Sequence, residues 1–163
     1  MRRPVSREVT SLHGNASSLS EVVPSLREDL HFRRPATVAF VGGLPLANEQ
    51  LARRLAAELG RNVLGIDLDA VVSKYVGETE KNLSKIFVEA GALGAVLFFD
   101  EGDALFGKRS DVHDARDRSA DVSIVLQELE RYQGLLILFI RSRHRLHRKH
   151  GRRHRVVLPH PSG

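Results

Sequence analysis

The two residues best suited to chemistry stand together at the end of an apolar run. Ala95-Val96-Leu97-Phe98-Phe99 leads directly into Asp100-Glu101. Carboxylates that end a buried strand are costly unless solvated or ligated. In an enzyme that hydrolyses nucleotides, such an Asp holds a magnesium ion, often through water. The Glu polarises the attacking water. The plainer alternative is a strand that simply ends in a polar turn. A second point of interest is Gly42-Gly43, which closes the short run Thr37–Val41. In open parallel sheets, ligands bind beyond the carboxyl ends of the strands. Both places would be such ends.

The elements that would position them follow from hydrophobic spacing. Thr37–Val41, Asn62–Leu68, Ala95–Phe99 and Leu135–Ile140 are short and apolar, as buried strands are. Between them lie helical patterns. Glu49–Leu59 carries Leu51, Leu55 and Leu59 and stops at Gly60. Glu78–Ala90 carries Leu83, Ile86, Phe87 and Ala90 on one face. Asp117–Tyr132 repeats the pattern with Val122, Val125, Leu126 and Leu129. Strands apolar on both faces, alternating with helices, predict an α/β fold: a parallel sheet with helices on both faces. The predicted division is a polar segment over 1–34 with room for one short helix, an α/β core over 35–140, and a basic tail over 141–163.

Two blocks then carry a resemblance. Val96–Arg109, around Asp100-Glu101-Gly102-Asp103, closely resembles the Walker B segment of AAA-type ATPases. Ser73-Lys74-Tyr75-Val76-Gly77-Glu78-Thr79-Glu80-Lys81-Asn82 resembles the stretch that carries their first pore loop. The resemblance covers about Val38–Leu138. It implies a three-layer P-loop NTPase-like fold with five parallel strands, and ATP hydrolysis with magnesium. It also implies assembly into a ring, usually hexameric, that remodels or threads a macromolecule. Asp100 would be the magnesium-associated acid, and Glu101 the base that activates water. Tyr75, Val76 and Gly77 would face the channel. Arg152 and Arg153 keep the family's spacing to its arginine fingers, which reach into a neighbour's site.

The chain departs from that family at the phosphate loop. A working loop reads G-x-x-x-x-G-K-[ST], so that backbone N–H groups, a lysine and a hydroxyl hold phosphates and magnesium. The window here is Gly42-Gly43-Leu44-Pro45-Leu46-Ala47-Asn48-Glu49. Ala47 stands for the second glycine, Asn48 for the lysine and Glu49 for the hydroxyl residue. Pro45 removes a backbone donor. Glu49 places a carboxylate close to where phosphate oxygens would sit, and like charges ~4 Å apart repel by about 4 kcal/mol at an effective dielectric near 20. That is roughly two to three decades in affinity. Asn48 and Glu49 also suit a helix start, as cap and first-turn acid, so this helix is expected to satisfy its own N-terminus. ATP and magnesium are therefore implied by the resemblance and opposed by the loop. Two alternatives stay open: a non-enzymatic ring subunit or scaffold, and a non-specific nucleic-acid binder acting through the basic tail.

Composition bounds the rest. A length of 163 residues allows one domain, and 42% hydrophobic with 28% charged residues is an ordinary globular balance. The absence of cysteine excludes disulfides and thiolate chemistry. No apolar run approaches the ~20 residues of a membrane span, and Met1-Arg2-Arg3-Pro4 starts no secretory signal. A cytoplasmic location is the expectation. The net charge of +5 is uneven: Arg141–Arg155 holds eight basic and no acidic residues. The other 17 basic residues face 20 acidic ones, a net −3. The basic tail would bind phosphates in a salt-dependent way.

Overall fold

The computed structural model describes residues 19–71, 78–100, 102, 124–125, 127–141 and 154–161. The elements in chain order are helix α1 (Leu19–His31), strand β1 (Ala36–Val41), a 3₁₀ turn (Pro45–Ala47) and helix α2 (Asn48–Glu58). There follow β2 (Val63–Ile66), α3 (Leu68–Val71), α4 (Glu78–Leu93), β3 (Val96–Phe99), β4 (Leu135–Ile140) and β5 (His154–Pro159). Residues 124–125 and 127–131 are helical as well.

The five strands form one sheet in the order β2-β3-β4-β1-β5. Every pairing is parallel. Parallel neighbours require crossovers, and the helices supply them over the sheet faces. The alternation of strand side chains builds two apolar layers. On β4, Leu135, Ile137 and Phe139 join a cluster with Val22, Leu26, Phe40, Leu51 and Leu55. Leu136, Leu138 and Ile140 turn the other way, to Leu83, Ala90, Phe99, Val125 and Leu129. The expected α/β sandwich with helices on both faces is what the chain forms.

Sequence periodicity left one part of this core without bounds, the short helix allowed within 1–34, and missed another. Within 1–34, α1 runs for 13 residues and buries Val22, Val23 and Leu26 against the sheet. It covers a face that β1 and β4 would otherwise expose to water. Within 141–163, His154–Pro159 pairs with β1 in register, Val38 opposite Val156 and Phe40 opposite Leu158. That part of the basic segment is a sheet edge and not a solvated tail. Its β-branched pair Val156-Val157 suits a strand, and the surrounding arginines mask the signal.

Candidate functional site

The site lies where the carboxyl ends of four strands meet. Strand β1 ends at Val41, and the chain then turns through Gly42 (φ 78°) and Gly43 (φ 86°). Residues with a Cβ rarely adopt such angles. Backbone bonds stitch the turn in place. The Gly42 N–H donates to the Ile140 carbonyl of β4 at 2.9 Å. The His160 N–H, just past β5, donates to the Val41 carbonyl at 3.0 Å. The Gly102 N–H, just past β3, donates to the Phe139 carbonyl at 2.9 Å.

The turn leads through the 3₁₀ turn into α2. The helix N-cap is Ala47, which makes no side-chain cap bond. The expected capping by Asn48 is therefore corrected: Asn48 lies inside the helix, and its side chain goes elsewhere. Its Nδ2 donates to Asp100 Oδ1 at 2.7 Å, across 52 residues of sequence. Asn48 is 6% exposed, whereas Asp100 is exposed. Asn48 Oδ1 is buried and has no hydrogen-bond partner among the described residues. The Glu49 carboxylate turns outward. Arg53 Nε and Nη2 both donate to its Oε1, at 2.9 and 2.7 Å, on the exposed face of α2. That ion pair draws the carboxylate along the helix surface, so its predicted closeness to a phosphate is weakened.

The structure thus brings Gly42, Gly43, Ala47, Asn48, Glu49 and Asp100 to one end of the sheet. Glu101, Tyr75, Val76, Gly77, Arg152 and Arg153 lie outside the described residues. One residue at this end escaped the sequence: His160. Its imidazole is 4% exposed and covers Gly43. A Cβ placed on Gly43 would stand 2.1 Å from His160 Cγ. The ring also meets Phe40 edge-on, with centroids 6.2 Å apart, and lies 5.9 Å from Phe139. The available signal was the apolar run Val156-Val157-Leu158 just before it.

Burial pushes the His160 pKa below its ordinary 6.5. The folded chain therefore keeps the ring neutral to a lower pH than the unfolded chain, which takes up a proton near pH 6.5. Stability is present above that pH and falls as the pH drops below it. Thermal unfolding between about pH 7.5 and pH 5 should show this loss, and His160→Gln should flatten it. An equal slope in both proteins would remove the assignment.

Residues 50–156 match the sequence profile described as "ATPase family associated with various cellular activities (AAA)". The chain belongs to the AAA ATPase family. Among similar proteins is the ATPase family gene 2 protein of Schizosaccharomyces pombe, 37% identical over 105 residues, which are 63% of this chain and 13% of that protein. Nuclear valosin-containing protein-like of Mus musculus is 34% identical over 102 residues, 62% of this chain and 12% of that protein. Ribosome biogenesis ATPase RIX7 of Saccharomyces cerevisiae is 33% identical over 108 residues, 66% of this chain and 13% of that protein. The chain thus spans about an eighth of the length of these relatives.

Family membership implies ATP and magnesium in general, and the donor set here can be compared with that need. Backbone N–H groups and an uncapped helix start are present. The window Gly42–Glu49 holds no lysine, arginine, serine or threonine. The Asn48 NH₂ is committed to Asp100, and the amide's other atom is a buried acceptor. These side chains do not fit a magnesium triphosphate held in the lysine-and-hydroxyl manner. Among the described residues, no group of three or more His, Cys, Asp or Glu is placed to hold a metal ion. No helix among them is long and apolar enough to cross a membrane.

Proposed function

We propose that this chain is a AAA-type core domain that sits in a ring with intact paralogues in the cytoplasm, around a macromolecule being remodelled, and hydrolyses no ATP by itself. One observation carries the reading: the Asn48 amide occupies the lysine position of the phosphate loop and is bonded to Asp100. A neutral group there supplies no charge to a triphosphate, and one N–H of its amide is already bonded to Asp100. In the ring, Asp100 and Glu101 keep the places of the magnesium-associated acid and the water-activating base. Tyr75, Val76 and Gly77 line the channel, where an aromatic ring can hold an extended chain without reading its sequence. Arg152 and Arg153 reach toward the adjacent subunit, where a guanidinium stabilises charge on a transferring phosphoryl group.

Phosphate release by the purified full chain, beside a Glu101→Gln control, tests this. Both proteins should release phosphate at the same background rate. Light scattering after size exclusion should give one mass with and without ATP and magnesium. Hydrolysis that Glu101→Gln abolishes, together with an ATP-driven hexamer, would make the chain an ordinary ATPase and end the proposal.

A further inference from the structure

We infer that Asn48 is a strut: its hydrogen bond to Asp100 ties the start of α2 to the end of β3 and closes this end of the sheet without any ligand. The inference deepens the proposed function, since a site held shut by its own side chains has no need of a nucleotide to join its two halves.

Four observations support it. The bond is short, at 2.7 Å, and its acceptor is a carboxylate, the class of hydrogen bond that contributes most. It joins elements that no backbone ladder joins, because β4 separates β1 from β3 in the sheet. Asn48 is buried while one of its two polar atoms has no partner among the described residues. A buried unsatisfied acceptor is costly, and the bond to Asp100 is the contact that offsets it. Finally, neither neighbour competes for the amide. Ala47 has no polar side chain, and Glu49 is held by Arg53.

The bond has a direction, with donor on α2 and acceptor after β3, and that makes it testable by exchange. Asn48→Asp would set two carboxylates at hydrogen-bond distance. The unfolding midpoint of the full chain at about pH 7.5 should fall by roughly 5–10 °C. Asp100→Asn alone keeps a neutral version of the bond and should cost about 2–3 °C. The double variant Asn48→Asp/Asp100→Asn restores a charge-assisted bond with donor and acceptor exchanged. Its midpoint should return to within about 3 °C of the parent chain. Losses that simply add in the double variant would overturn the strut, because a side chain that only packs gains nothing from the exchange. If Asn48→Asp does not fold at about pH 7.5, recovery of folding on adding Asp100→Asn supports the strut, and no recovery overturns it. The same melts of the parent chain with ATP and magnesium test the other reading. A rise in midpoint there counts against the proposed function and leaves the exchange result standing.

Discussion

Phe40→Ala should lower the stability of the chain by about 3–5 kcal/mol, and its unfolding midpoint by roughly 10 °C. Phe40 is fully buried on β1, between β4 and β5. Its ring stacks on Phe139 with centroids 5.5 Å apart and touches the His160 ring edge-on. Truncation removes a large buried apolar surface and leaves a cavity that strands on both sides cannot fill, since their backbone ladders fix the spacing. The same cavity opens beside His160, which covers the Gly43 turn. Denaturant titration of the parent and the variant measures the effect. A change below about 1 kcal/mol would show that Phe40 does not anchor this end of the sheet.

Gly43→Ala should be the second severe change, with a loss of about 2–4 kcal/mol. Two costs add. The residue sits at φ 86°, where a side chain is strained. The new Cβ would also stand 2.1 Å from His160 Cγ, so the imidazole must leave its buried place. Gly42 separates the two costs. It has φ 78°, and nothing lies within 4 Å of a Cβ built on it. Gly42→Ala should therefore show the strain alone, about 1–2 kcal/mol. Adding His160→Ala should relieve only the Gly43 variant. Equal losses at the two glycines, measured by denaturant titration, would mean that the imidazole yields freely.

Both predictions concern contacts that local sequence does not encode. Strand and helix positions were legible because burial writes a period into the chain: Leu135–Ile140 is apolar at every position and is buried at every position. Helix α1 was harder, since Pro24 and the polar residues around it dilute the amphipathic pattern within 1–34. Strand β5 was obscured by its basic surroundings. Among the described residues of that segment, the six of His154–Pro159 belong to the sheet, and composition averaged over the whole segment hides them.

The site divides in the same manner. Residue types alone established the acids at 100 and 101, the glycine turn at 42 and 43, and the loss of lysine and hydroxyl at 48 and 49. They could not say where the Asn48 side chain goes, and a helix cap was the local guess. The tertiary structure decided for Asp100, because the sheet order sets the carboxyl end of β3 near that of β1 although 52 residues separate the partners. It likewise set His160 on Gly43. Side-chain type and spacing fix what each segment can bury. Which strand ends lie together depends on how the crossovers order the sheet, and that order is a property of the whole chain.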